Sequence, residues 1–417
     1  MVKYLLSTAL IIGFLLAGCD SLGTQQEEQS EFERRELPRQ LTEQETELVN
    51  GSGHFGFNLL GRLVEKVPGE SHFISPLSIQ MAYGMVMNGA ESDTYNQMRN
   101  TLGMDGMNRE QINESAKELI ELLTQFDESV QFNIANSIWY RDTFSVEQDF
   151  LNPNKTYYEA AIEEADFADP KTVERINGWV SDKTGGLIEK ITDNIDPNEI
   201  MYLLNAIYFN GDWTIPFDPD NTETKPFHLP NGSTADAEMM QLDQQEQMSY
   251  RRGEDYQAVN LYYGDAGFMM TLVLPDEDKT LGNWVTNMTW DDWRKLTGNF
   301  SKVTLTLEMP KFELEYEVEE FEKVLMAMGI EDAFGPEADF SRITGGPNGL
   351  YIGESRHKTF ISVDEKGTEA AAVTSAVVVE SAPQTVEVSF NRPFFYVIRE
   401  VESETILFMG TMTDPTQ

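Results

Sequence analysis

A chain of 417 residues that is 40% apolar and 11% aromatic has the material for a large core. Its 71 acidic and 30 basic residues leave a net charge of −41, which argues against nucleic acid and against heparin-like polyanions as partners. One cysteine, Cys19, leaves no intramolecular disulfide to be made.

In chain order, Met1-Val2-Lys3 supplies a basic start, and Leu5 to Leu16 an apolar run too short to span a membrane comfortably. Leu16-Ala17-Gly18-Cys19 then resembles a bacterial lipobox. That resemblance implies a signal peptide over 1–18, lipidation of Cys19, and a place on the cell envelope, periplasmic or cell-surface. The alternative is a plain secretory signal with a stray cysteine and an extracellular product. Residues 19–47 read as an acidic polar tether, rich in Gln and Glu. The folded part, 48–417, is expected to start near Val49, where Phe55, Leu59 and Leu63 recur at helical spacing.

Ser75-Pro76 predicts a helix start, Ser75 as N-cap and Pro76 at the first helical position. Gln111 to Phe126 reads as an acidic amphipathic helix and Phe132 to Tyr140 as a strand. Tyr202 to Phe209, bounded by Asn210-Gly211, reads as a fully buried strand carrying one polar residue, Asn205. Thr304 to Met309 and Phe312 to Val318 alternate as sheet strands do, with Lys311 between them. Ile361 and Val363 alternate with Ser362 and Asp364 as another strand. Glu365-Lys366-Gly367 breaks that pattern. From Thr368 to Ala382 there is no Gly, Asn, Asp or Pro; between Ala370 and Val379 all residues are small or β-branched and uncharged. By residues alone this is a buried strand or an Ala/Val linker. By parity Thr368, Ala370, Ala372, Thr374, Ala376 and Val378 share one face.

Glu365-Lys366-Gly367-Thr368-Glu369-Ala370-Ala371-Ala372 resembles the hinge of the serpin reactive-centre loop. Phe390-Asn391-Arg392-Pro393-Phe394, Phe408-Met409-Gly410 and Asp414-Pro415 resemble that family's C-terminal signatures, in its order and near its spacing. The resemblance implies an α+β serpin fold: a mixed main sheet with further sheets, surrounding helices, and an exposed reactive-centre loop over about 365–389. It implies a shutter of Ser75, Ser78, Asn205 and His357 behind the opening sheet. It also implies a breach at Trp213 and Lys311, the lysine forming an exposed pair with Glu365. Thr368 is expected at the surface. Sixteen positions beyond the hinge glutamate puts the reactive bond at Ser381–Ala382, with Val379 and Glu380 as alternatives.

No nucleophile-elbow, zinc-protease or phosphate-loop motif is present, and the four histidines lack metal-ligand spacing. Asp193 to Asn198 has the acids of a calcium loop without its glycine and reads as a solvated turn. The expectation is therefore a protein that is not an enzyme, has no cofactor or metal, and acts as a monomer. It would trap a target protease, elastase-like or subtilisin-like, or a cysteine protease, as an acyl-enzyme by inserting its loop. The alternative is a non-inhibitory binding or scaffold protein of the same fold.

Overall fold

The computed structural model describes residues 34–347, 349–353, 355–368 and 385–417. Helices α1 (Glu43–Lys66), α2 (Pro76–Met87), α3 (Ser92–Thr101), α4 (Arg109–Gln125), α5 (Gln148–Tyr157) and α6 (Lys171–Lys183) lie in the first half of the chain. The largest sheet runs in the order β1 (His72–Ile74), β15 (Ile406–Met412), β14 (Phe394–Glu400), β8 (Phe268–Pro275), β7 (Tyr256–Tyr263), β6 (Thr234–Arg252), β9 (Ser301–Pro310) and β13 (Thr385–Ser389). β5 (Glu223–His228) also pairs with β6. Every residue of β8, β14 and β15 is buried, so both faces of this sheet are covered there. That is why those segments are mostly apolar without a period-2 pattern, Thr271, Arg399, Glu400 and Thr411 being buried among them.

A second sheet is mixed and runs β12 (Gly367–Thr368), β4 (Met201–Asp212), β2 (Val130–Arg141), β3 (Ala161–Ala165), with β3 parallel to β2 and the other pairs antiparallel. β10 (Phe312–Glu317) and β11 (Lys358–Val363) form a separate antiparallel pair. Inward Thr359, Ile361 and Val363 alternate with half-exposed neighbours along β11, as a half-buried strand requires.

Two expectations are corrected. The tether expected over 19–47 does not extend over residues 34–47, which belong to the folded body. Thr42 and Glu45 form a capping box at the start of α1, and Glu45, fully buried, takes a two-pronged ion pair from Arg39 at 2.6 and 2.7 Å. An acid-rich composition reads as solvated; this particular acid is a cap. α1 also runs straight through Gly51 and Gly53, which look like helix breakers. A Cβ on Gly51 would stand 2.2 Å from the Gly103 carbonyl oxygen, and one on Gly53 2.4 Å from the Trp290 ring, so close packing requires both glycines. Nor is β4 fully buried. Met201 to Asn205 are half-exposed, because among the described residues β4 is an edge strand over most of its length.

Candidate functional site: a seam between two strand edges

Among the described residues, the edge of β4 away from β2 carries only the two residues of β12. Among the same residues, the edge of β11 away from β10 carries no strand. The N-terminus of α2 ties the two sides together. Ser75 caps that helix through the Ser78 N–H at 3.2 Å, as its position before Pro76 dictates. The Ser78 hydroxyl donates to Asn205 Oδ1 on β4, and the Ser75 N–H donates to His357 Nε2, next to the start of β11, at 3.1 Å. The four residues named from the sequence therefore stand together. Asn205 and His357 do so through the two serines. Asn136 of β2 joins them: it accepts from Asn205 Nδ2 at 2.7 Å and donates to the Tyr158 carbonyl at 2.8 Å. Nothing in the local sequence singled out Asn136. It becomes visible only once register places it opposite Asn205.

Burial pushes His357 down to about 3, and its acceptor role toward Ser75 requires the neutral ring. Burial likewise lowers His72 to about 4. The unfolded chain protonates both near 6.5, so between that pH and the folded values the unfolded state binds more protons. The histidines' contribution to stability is complete above about pH 6.5 and is lost as pH falls, at about 1.4 kcal/mol per pH unit for each ring. Urea melts at pH 7.5 and pH 5 should show this loss. His357→Gln, whose amide oxygen also accepts from Ser75, should flatten the slope by about half. An unchanged slope in that variant would show that His357 does not carry it.

At the other end of the seam, Trp213 is sandwiched against Tyr263 with ring centroids 4.3 Å apart and an angle of 19°. Its N–H donates to the Lys366 carbonyl at 2.7 Å and its indole nitrogen to the Asp364 carbonyl at 3.0 Å. Trp213 thus holds the hinge by its backbone N–H and by its indole N–H. Glu365 takes Lys311 Nζ at 3.0 Å on one carboxylate oxygen and the Thr222 hydroxyl at 2.7 Å on the other. The pair is not the exposed one expected, since the glutamate side chain is 10% exposed against 37% for the lysine. Burial pushes the Glu365 carboxyl up, but the bonds from Thr222 and Lys311 outweigh it and hold it below its ordinary value. Thr222 sits on a turn before β5, and no motif announced it.

Thr368 overturns a further expectation. It lies inside, 6% exposed, its hydroxyl 3.2 Å from the Tyr263 phenol. Gly367 and Thr368 pair with Asp212 and Gly211 as a short strand. The hinge has thus entered the edge of β4 by two residues. Thr385 restarts the described chain on β9 in parallel register, opposite Thr304. Cys19, Glu369 to Ala372, and the reactive-bond candidates Val379, Glu380, Ser381 and Ala382 lie outside the described residues.

The family model described as Serpin (serine protease inhibitor) matches residues 50–415. The chain belongs to the serpin family. An "uncharacterized serpin-like protein" of Methanosarcina acetivorans is 31% identical over 89% of this serpin and 87% of its own length. Human neuroserpin is 30% identical over 86% and 89%. Among solved structures, the thermophilic serpin tengpin in its native state superposes with a TM-score of 0.80 at 32% identity, covering 90% of this chain and 95% of that one. Thyroxine-binding globulin complexed with thyroxine superposes with a TM-score of 0.79 at 28% identity, over 89% and 100%. The serpin fold is therefore established, and the family holds both protease inhibitors and a hormone-binding protein.

Proposed function

We propose that this serpin is a suicide inhibitor of serine endopeptidases with small-residue specificity, carried on the cell envelope by a lipid on Cys19. The observation that carries the inhibitory reading is the hinge strand. Two residues already pair with β4 beside an edge with no further strand among the described residues. The next residues in sequence, Ala370 to Val379, are uncharged and small or β-branched. A protease acylated at Ser381 would be drawn along as the strand lengthens. Residues 366–381 cover about 50 Å as a strand, enough to carry the enzyme across the sheet. Displacing catalytic groups by far less than that stops deacylation.

Incubation with elastase-like and subtilisin-like proteases should give a complex that survives denaturing gels, and a released C-terminal fragment beginning at Ala382. Clean cleavage with no trapped enzyme across the panel would instead support the binding-protein alternative. A fragment starting outside Glu380 to Ala382 would refute the assigned bond. For the anchor, labelled fatty acid should enter the wild-type protein and not Cys19→Ser. Absence of label from the wild type would remove the lipid.

A further inference from the structure

The N-terminal strap and the hinge of the reactive loop meet the body at the same end of one strand. Arg34, the first described residue, sits with its guanidinium 5.8 Å from the centre of the Tyr262 ring. Arg35 donates its N–H to the Asp265 carbonyl and its Nε to the Phe126 carbonyl, both at 2.8 Å. Leu37 and Leu41 pack on the core, and Arg39 is fixed by buried Glu45. The strap is therefore fastened over its length, and its first described residue lies at Tyr262.

The next residue, Tyr263, carries the hydroxyl that meets Thr368, where the described hinge ends. The chain resumes after the loop at the same end of the largest sheet. Lys302 places its Nζ 5.8 Å from the Tyr262 ring, and Thr304, two residues on and so about 7 Å along the strand, pairs with Thr385. The C-terminus leaves elsewhere. Met412 pairs with Phe394, whereas Glu400, six strand steps or about 20 Å away, is the residue that reaches the Tyr263 end through Phe268.

We propose that the N-terminal attachment holds the reactive-loop end of the body toward the membrane, so that the preferred target is a serine protease itself held at that membrane. The inference rests on the anchored-inhibitor reading above. Fifteen peptide links separate Cys19 from Arg34, and they cannot span more than about 54 Å. A protease of about 250 residues has a radius of gyration near 18 Å and is roughly 45 Å across. The described ends of the loop, Thr368 and Thr385, are thus confined to a layer about one protease thick. An enzyme confined to the same layer meets them at a raised effective concentration. The same anchor at the C-terminus would leave the loop end free to face away.

The test couples the mature chain through Cys19 to maleimide lipid in phosphatidylcholine vesicles. Its comparison is Cys19→Ser carrying a cysteine after a fifteen-residue extension beyond Gln417. The probe is a subtilisin-like protease, either free or held on the same vesicles by a histidine tag and chelator lipid. Both chains should trap the free enzyme at equal rates before coupling, which shows the loop to be intact. On vesicles the Cys19-coupled chain should trap the held enzyme about fivefold faster. Equal rates from the two attachments would overturn the proposal. If neither chain traps free protease, the inhibitory reading fails separately. The rate of loop cleavage by the vesicle-held enzyme then reads the geometry, and equal cleavage would again overturn it.

Discussion

Gly367→Ala should convert this serpin from inhibitor to substrate while leaving most of the fold in place. A Cβ on Gly367 would stand 2.3 Å from the Gly211 carbonyl oxygen, 2.6 Å from Asp212 Cα and 2.8 Å from Trp213 N. All three are backbone atoms at the end of β4, so no rotamer change relieves the overlap. The φ of 150° at Gly367 is also one that side chains rarely adopt. The hinge must then leave β4, losing the bond from Trp213 to Lys366 and the pairing opposite Gly211 and Asp212. The stability cost should be about 1–3 kcal/mol. The functional cost is larger, because insertion would extend from this displaced strand while deacylation proceeds unhindered. Each 1.4 kcal/mol added to the insertion barrier shifts that race about tenfold. The number of inhibitor molecules consumed per trapped protease should rise about tenfold or more. Gly335→Ala, where a Cβ meets nothing within 4 Å, is the control and should inhibit as wild type does. Unchanged stoichiometry in Gly367→Ala would remove the hinge strand from the insertion path.

Much of this arrangement was legible because local chemistry and global fold agree. Ser75-Pro76 reads as a helix start and caps α2. The alternation at Ile361 and Val363 reads as a half-buried strand and is one. What escaped depends on partners far away in sequence. Gly51 and Gly53 look like helix breakers until Gly103 and Trp290 are brought against them. Glu45 looks solvated until Arg39 folds back onto it. Tyr263, within the apolar run of β7, shows no sign in its own neighbours of the hinge hydroxyl it meets 105 positions later. The tether boundary failed for the same reason, since composition weighs a segment by its average and not by the one acid that is buried.

Thr368→Arg should abolish trapping and, against the reading of Thr368 as a surface residue, should also weaken the native protein. The wild-type side chain is buried against Tyr263, whose phenol is itself fully buried and held by that burial far above its ordinary pKa. Of the described acids on the hinge, Glu365 already holds Lys311 and Thr222. Burying that charge unpaired costs several kcal/mol, so the cheaper response is for the two-residue strand to peel away. That leaves the Tyr263 hydroxyl buried without its partner, at about 1–3 kcal/mol. Thr368→Val separates the two effects. It keeps the shape and apolar burial, removes the same hydroxyl, and should match much of the stability loss. With no charge to bury, the strand stays in place and protease should still be trapped. Glu369→Arg, one position on and of opposite parity, should inhibit nearly as wild type does. Denaturant melts and gel-stable complex yield, measured together, decide the matter. Trapping by Thr368→Arg at wild-type stoichiometry, or failure of Thr368→Val to trap, would show that the parity of this strand does not govern insertion.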